Sequence, residues 1–215
     1  MRMAVLGWIQ SIPGLRTGAK KRSCSHCSQH GTRLKCSIER LHVPVLLGEV
    51  LELYEGRRFE VFVDGTIGAG GHASTLLSSC DIDLYIGIDQ DETALAIASE
   101  RLSKYGAKVK LVQSNFRDLE RVLSQFEIAQ GEVDGILLDV GISSMQIDTA
   151  DRGFSFMADG PLDMRMNRTN GLSVAEVVNS FGVEELARIF QEYGEDSQSR
   201  RMAKSVVAFR ETKQI

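Results

Sequence analysis

The sequence lacks two features that indicate particular classes of protein: a set of paired cysteines and a long apolar run. Of the four cysteines in 215 residues, three lie within the first 36 positions, so the rest of the chain holds Cys80 alone. We therefore expect no disulfide framework. No apolar run approaches the ~20 residues that a membrane-spanning helix needs, so we expect no membrane partner. Apolar residues make up 43 % of the chain, which is ordinary for a globular protein.

Acidic residues are almost missing from the first 40 positions. These positions hold eight Lys or Arg against the single acid Glu39, whereas residues 41–215 hold 17 basic and 28 acidic residues. A basic, acid-poor leader ahead of an acidic body is typical of an organellar transit peptide. We therefore predict that residues 1–41 are a transit peptide or disordered leader. The predicted location is an organelle, with the chloroplast slightly preferred over the mitochondrion because the leader contains many Ser and Cys.

The leader also holds a group of possible metal ligands. Cys24-x-x-Cys27 with His30 and Cys36 could bind zinc. The second pair is poorly spaced and no hydrophobic residues surround it, so an unstructured leader is the preferred interpretation and no metal is predicted.

The stretch from Val61 to His72 predicts a ligand-binding turn. A run of β-branched and aromatic residues ends at Asp64, a glycine-rich turn follows, and His72 opens a helix. Glycine lets the backbone approach a ligand closely, and the first N–H groups of a helix point at whatever binds there. The spacing Gly68-x-Gly70-x-x-Ala73 fits the dinucleotide fingerprint, although a plain turn with glycines for packing would look the same.

Three predicted strands end in an aspartate, at Asp64, Asp89 and Asp139. In a parallel sheet these ends share the edge where ligands bind. A carboxylate at Asp64 is unfavourable beside a pyrophosphate and favourable beside a cation. S-adenosylmethionine carries an ammonium and a sulfonium but no phosphate, so charge favours it over NAD. Asp89 is placed to hold a ribose, and Phe116 after the next strand could stack on an adenine or be a core residue.

A long segment without a clean period runs from Gly141 to about Leu172. A loop of this length is usually functional or disordered, and its apolar residues argue against disorder. One interpretation is a connecting loop with apolar anchors. The other is a nucleic-acid platform on which Phe154 and Phe156 stack on bases while Arg152 and Arg165 contact phosphates.

Seven motifs together resemble the MraW-like 16S rRNA cytosine-N4-methyltransferases, which occur in bacteria and have organellar relatives, over about residues 42–215. The motifs are His42-x-Pro-Val, Asp64-Gly-Thr-x-Gly-x-Gly-Gly-His72, Asp89-x-Asp, Asn115-Phe116, Asp139-x-Gly-x-Ser-Ser-x-Gln146, Arg152-Gly-Phe-Ser155 and Asp159-Gly-Pro-Leu-Asp-Met-Arg-Met166. The resemblance implies an α/β fold with the Rossmann-like parallel sheet of S-adenosylmethionine-dependent methyltransferases. Residues 42–141 would form the first half of that sheet, and residues 142–215 a substrate loop and helical insertion domain.

The resemblance also implies a cofactor and a substrate. S-adenosylmethionine would be the methyl donor, and a cytosine of small-subunit rRNA the acceptor. The glycines and His72 would line the methionine end, Asp89 would hold the ribose and Phe116 would lie against the adenine. The full set of cofactor residues that it implies is Asp64, Gly68, Gly70, Gly71, His72, Asp89, Phe116, Asp139 and Gln146.

Methyl transfer to cytosine N4 needs help because its lone pair is delocalised into the ring. The enzyme must hold N4 in line with the methyl group and accept a hydrogen bond from N4–H. Asp139 is the predicted acceptor, with Ser143 or Ser144 as alternatives. The base must be unstacked, which suits single-stranded rRNA near Phe154 and Phe156.

Members of this family are expected to continue well beyond Ile215, so we expect a truncated chain. Only four strands are predicted, and the fourth would be an apolar edge strand. One alternative is an inactive remnant that binds S-adenosylmethionine or RNA. The other is an NAD(P)-dependent oxidoreductase, which the charge of Asp64 and the absence of a catalytic Tyr-x-x-x-Lys argue against.

Overall fold

The computed structural model describes residues 2–6, as backbone, and residues 44–215. The chain forms two compact units, Met1–Gly141 and Ile142–Ile215. The predicted boundary after residue 141 coincides with this division. The assignment of the units to cofactor and to substrate remains a prediction.

The first unit is an α/β structure with a parallel sheet, which confirms the predicted fold class. The sheet order is β1-β5-β2-β3-β4, and every neighbouring pair is parallel. The elements are β1 (Arg2–Leu6), α1 (Leu47–Tyr54), β2 (Arg58–Asp64), α2 (Gly71–Ser79), β3 (Asp81–Asp89), α3 (Glu92–Leu102), β4 (Val109–Gln113), α4 (Leu119–Ser124) and β5 (Gly135–Asp139).

The two faces of the sheet bury separate hydrophobic clusters, because successive strand side chains point to opposite faces. Phe62 and Tyr85 join the cluster formed with α1, α2 and α3. Val63 and Ile86, one position further along each strand, join the cluster formed with α4. This is the two-sided burial that makes central parallel strands apolar throughout.

The structure corrects the prediction of a four-stranded sheet with an open edge. Strand β1, from the predicted leader, pairs with all of β5, from Arg2 opposite Gly135 to Leu6 opposite Asp139. The apolar β5 has unpaired backbone groups on that side, and a short apolar segment can satisfy them. The disordered leader that was predicted therefore does not extend to Arg2–Leu6. The zinc candidates, from Cys24 to Cys36, lie outside the described residues.

The second unit is helical. Its helices are α5 (Ser144–Asp148), α6 (Val174–Ser180), α7 (Val183–Glu192) and α8 (Ser199–Arg210), and a 3₁₀ turn covers Ala150–Arg152. Leu186, Ala187 and Ala203 form the buried centre of α7 and α8. In the part of the chain that the structure describes, no helix is both long enough and apolar enough to cross a membrane.

Candidate functional site

Asp64 ends β2 as a buried carboxylate at the edge where the parallel strands finish. Its side chain is 1 % exposed. The Tyr85 hydroxyl donates to Oδ2 at 2.9 Å, and the Thr66 backbone N–H donates to Oδ1 at 3.1 Å. Burial raises the pKa of Asp64 to about 7 against the effect of these two hydrogen bonds. The neighbouring charges of Asp89 and Asp139 raise the pKa further, so a cation at this edge would favour the ionised form.

Asp89, at the end of β3, holds the glycine turn in place. Its Oδ2 accepts a hydrogen bond from the Gly68 N–H at 2.8 Å, and its Oδ1 accepts one from the Asp91 N–H at 2.9 Å. Gly68 has φ 52°, a conformation that glycine adopts without strain. Burial raises the pKa of Asp89, and the backbone hydrogen bonds oppose the rise. Each oxygen keeps a second lone pair, so the carboxylate can still accept from a ribose.

Gly70 and Gly71 lie against neighbouring elements. A Cβ on Gly70 would be 3.4 Å from the Cα of Ala98 on α3, and a Cβ on Gly71 would be 2.6 Å from Cγ of Pro44. Packing therefore requires glycine at Gly71, whereas a Cβ on Gly70 would make only ordinary contacts and glycine is favoured there by its φ of 74°. Their implied place at the methionine end of a cofactor rests on the backbone, not on open space beside Cα.

His72 opens α2 as a buried residue whose Nε2 lies 3.0 Å from the carbonyl oxygen of Val45. Its ring thus fixes the start of α2 against the segment before α1. The N–H groups of Ala69 and Gly71 form no hydrogen bond with any of residues 44–215. The turn therefore still presents backbone donors at a helix start, as a ligand-binding turn must.

Asp139 ends β5 with a half-buried side chain. Its backbone N–H donates to the Thr66 hydroxyl oxygen at 2.6 Å. Its carboxylate forms no hydrogen bond or ion pair within residues 44–215. Of the three strand-end aspartates, it is the one whose oxygens are unused by the described fold.

Phe116 follows β4 and stands at the start of a 3₁₀ turn, with 38 % of its surface exposed. A Cβ on Gly65 would lie 3.1 Å from the Phe116 Cβ, so Phe116 sits over the first residue of the glycine turn. The structure thus brings Asp64, Asp89, Asp139 and Phe116 to one edge of the sheet, as the sequence predicted. Their contacts with a cofactor remain predictions.

In the second unit, Ser143 and Gln146 cap α5. The Ser143 hydroxyl accepts from the Gln146 N–H at 3.2 Å, and Oε1 of Gln146 accepts from the Ser143 N–H at 3.0 Å. Gln146 is buried, and Ser144 is the first residue of the helix. Ser143 and Gln146 therefore have a structural role, which the sequence analysis missed although Ser-x-x-Gln is the signature of such a cap.

Arg152 is buried, and its guanidinium serves the loop. Its Nη2 donates to the carbonyl oxygens of Arg165 at 2.9 Å and Met166 at 3.0 Å. The guanidinium carbon lies 5.9 Å from the centre of the Phe154 ring. The structure gives Arg152 an internal position and offers no exposed guanidinium for the phosphate contact that the sequence suggested.

Arg165 forms a two-pronged pair with the buried Asp163, with N–O distances of 2.7 and 3.0 Å. Hydrogen bonding from Arg165 lowers the pKa of Asp163. Phe156, in contrast, is 97 % exposed. Of the four predicted substrate residues, Arg152 and Arg165 hold the loop, Phe154 is half-buried, and Phe156 is fully available.

Two glycines let distant parts of the loop lie against each other. A Cβ on Gly153 would lie 2.2 Å from the Pro161 carbonyl oxygen, and one on Gly160 would lie 2.1 Å from the Ala150 carbonyl oxygen. Residues 154–159 therefore form a closed tip, with exposed Phe156 and Met157 side by side.

Comparison with known proteins identifies the family. The model of the MraW methylase family matches residues 39–215. The chain belongs to the MraW methylase family.

Curated relatives of the same family agree. The "Ribosomal RNA small subunit methyltransferase H" of Syntrophotalea carbinolica is 50 % identical over 166 residues, which are 77 % of this chain and 52 % of that protein. The protein of the same name from Geotalea uraniireducens is 46 % identical over 175 residues, 81 % of this chain and 55 % of its own length. The chain spans about half the length of the curated relatives it matches.

Among solved structures, M. capricolum TrmK in complex with S-adenosyl-homocysteine has a TM-score of 0.34 at 9 % identity, over 78 % of this chain and 97 % of that one. A similarity at this level carries no argument about the site.

Thr66, Tyr85 and Asp163 were not predicted from the sequence as residues of the site. Each supports a predicted residue through a hydrogen bond. Thr66 lies within the quoted glycine motif, and Asp163 within the last motif. For Tyr85 the only signal was a tyrosine between the apolar residues Leu84 and Ile86.

Proposed function

We propose that this chain is the cofactor-binding part, with a substrate loop, of an S-adenosylmethionine-dependent rRNA methyltransferase. The acceptor in this proposal is N4 of a cytosine in the small-subunit rRNA of an organelle ribosome. The observation that carries the proposal is the group of three strand-end carboxylates, with Phe116 above the glycine turn. The names of the curated relatives support the reaction class.

The residues at the sheet edge fit the proposed cofactor. A cationic donor suits a site where burial and the neighbouring charges of Asp89 and Asp139 raise the cost of ionising Asp64. Ala69 and Gly71 offer N–H groups to the carboxylate of its methionine part, and Asp89 offers acceptors to the ribose. The exposed part of the Phe116 ring can lie on the adenine.

In the proposed mechanism, Asp139 is the hydrogen-bond and proton acceptor for the cytosine amino group. The bound cofactor would supply an activated methyl group, and the electron pair of its broken sulfur–carbon bond would stay on sulfur. The Asp139 carboxylate accepts a hydrogen bond from cytosine N4–H while the new N–C bond forms, and it takes the proton that N4 loses. This role suits Asp139 because its carboxylate has no other partner in residues 44–215.

The proposed substrate contact in the second unit is stacking of an unpaired base on Phe156. Aromatic stacking on a single-stranded base is worth roughly 1–3 kcal/mol. The close approach of the loop segments at Gly153 and Gly160 holds this ring in solvent, where a base can reach it.

The test is transfer of a labelled methyl group to small-subunit rRNA. Wild-type protein should label cytosine N4, and Asp139→Ala should reduce the rate by at least about 10²-fold, the scale of a lost general base. Asp118→Ala is the control, because Asp118 is another aspartate of the first unit and its exposed carboxylate forms an ion pair with Arg121. Full activity of Asp139→Ala would refute the mechanism.

A second candidate is a chain that binds S-adenosylmethionine or RNA without methyl transfer. Cofactor binding without any labelling by wild-type protein would support this second candidate.

We also propose an organellar location, from the charge of the leader. An import assay with isolated chloroplasts and mitochondria would test this location.

A further inference from the structure

Two polar residues outside the predicted site join three strand ends. Tyr85 on β3 is fully buried, and its hydroxyl donates to Asp64 on β2. Thr66, just after β2, uses its N–H on the same carboxylate and accepts the Asp139 N–H of β5 with its hydroxyl oxygen. The series therefore runs from β3 through β2 to β5.

The Thr66 hydroxyl takes the place of a β2 backbone carbonyl as the acceptor for the Asp139 N–H, because β5 extends beyond its pairing with β2. Pairing of β2 with β5 ends at Asp64 opposite Leu137. The Gly65 N–H still reaches the Leu137 carbonyl oxygen at 2.9 Å, and then the chain turns away. The next inward N–H of β5 is that of Asp139, and the 2.6 Å bond to Thr66 Oγ1 satisfies it.

The position of Thr66 is itself fixed. Asp64 Oδ1 holds the Thr66 N–H, and Tyr85 occupies Oδ2, so the carboxylate cannot rotate without losing a hydrogen bond. A Cβ on Gly65 would be 2.4 Å from Leu138, which shows how tightly the β2 turn lies on β5. The hydroxyl therefore meets Asp139 from a rigid base.

We propose that Thr66, held by the Asp64–Tyr85 pair, is a positioning residue that fixes the backbone of Asp139 and so aims its carboxylate. The catalytic consequence rests on the proposed methyl transfer, whereas the effect on the backbone does not. An amide that loses its acceptor gains local motion, and a small displacement of a reacting group can cost roughly 10²-fold in rate.

The first measurement is hydrogen exchange of individual amides in the full chain, without cofactor. Thr66→Val removes the hydroxyl at nearly constant volume and should speed exchange at Asp139 by about five- to tenfold, the value of one hydrogen bond. Thr66→Ser keeps the hydroxyl, so the Asp139 amide of this variant should exchange at the wild-type rate. Thr75→Val is the matched control, because the Thr75 hydroxyl bonds only to the Gly71 carbonyl within α2.

The second measurement is the rate of methyl transfer. Thr66→Val should lower kcat by roughly 10- to 100-fold with little change in KM for the cofactor, and Thr66→Ser should restore most of the rate. A Tyr85→Phe variant should fall between them, because Asp64 then keeps only the Thr66 bond.

The outcomes separate the two proposals. If exchange at Asp139 follows the expected order but wild-type protein transfers no methyl group, the positioning role stands and the proposed function fails. If Thr66→Val leaves Asp139 exchange unchanged, or speeds exchange equally at the core amide of Ile86, the positioning role is refuted. Equal loss of kcat in Thr66→Val and Thr66→Ser would refute it as well.

Discussion

The edge of the parallel sheet and the long loop of the second unit use charged side chains in different ways. At the edge, Asp64 and Asp89 hold backbone N–H groups of the glycine turn, whereas the Asp139 carboxylate has no partner among residues 44–215. In the loop, Arg152 donates to backbone carbonyl groups and Asp163 accepts from the Arg165 side chain. The exposed tip of the loop is apolar. The edge thus suits a charged small ligand, and the tip suits the face of a base.

The largest effect is expected in the loop, when a methyl group is added at Gly153. Gly153→Ala would place a methyl group 2.2 Å from the Pro161 carbonyl oxygen at φ 72°. We expect a loss of roughly 3 kcal/mol or more of the free energy of unfolding of the second unit, measured by urea denaturation. Gly171→Ala is the control, because its φ is 82° but nothing lies within 4 Å of the new methyl, so only about 1 kcal/mol is expected. Equal losses would show that the close approach at Gly153 does not hold the loop.

The edge half is tested by pH. Asp64 titrates at about 7 in the folded protein, against an ordinary value of 3.8, so the folded state binds its proton more tightly than the unfolded state does. The stability from this group is therefore full below pH 4 and is lost as the pH rises through about 7. The whole loss is about 4 kcal/mol, of which about 3 kcal/mol falls between pH 5 and 8. Urea unfolding of wild type and Asp64→Asn over this range should show the loss only in wild type. Parallel pH profiles would contradict the buried carboxylate.

The apolar tip is tested with RNA. Phe156→Ala should weaken binding of a single-stranded small-subunit rRNA fragment by roughly 1–3 kcal/mol, without changing stability, because the ring is 97 % exposed. Fluorescence anisotropy measures the affinity. Tyr193→Ala is the matched control, an aromatic residue of the same unit that is 81 % exposed. An equal loss of RNA affinity in both variants would contradict a specific role of the tip in RNA binding.

The sequence predicted the edge better than the loop for a physical reason. Strands that end in aspartate meet at one edge once the sheet is parallel, so Asp64, Asp89 and Asp139 followed from topology alone. Helix caps also have local sequence signals, and the structure shows two: Asp91 accepts from the Thr93 N–H and Ser173 accepts from the Glu176 N–H.

Burial and long-range pairing could not be predicted in the same way. Nothing in the local pattern shows that Arg152 turns inward, because its acceptors at Arg165 and Met166 are 13 and 14 residues away. Likewise, Arg2–Leu6 lies in a basic leader, and only its distant pairing with β5 makes it a strand. Helix α5 is five residues long, too short for a periodic pattern to register.

The most direct test of the central claim is equilibrium binding of S-adenosylmethionine by calorimetry, with Asp89→Asn compared with Asp134→Asn. Asp134 is the structural match, because its carboxylate also accepts two backbone N–H bonds, from Glu60 and Val61, but it lies just before β5, at the other end of that strand from Asp139. We predict that wild type and Asp134→Asn bind S-adenosylmethionine and not NAD, and that Asp89→Asn binds at least about tenfold more weakly, the value of a charged hydrogen bond. Absence of binding by wild type, or equal affinities of the two variants, would contradict a cofactor site at this edge of the sheet.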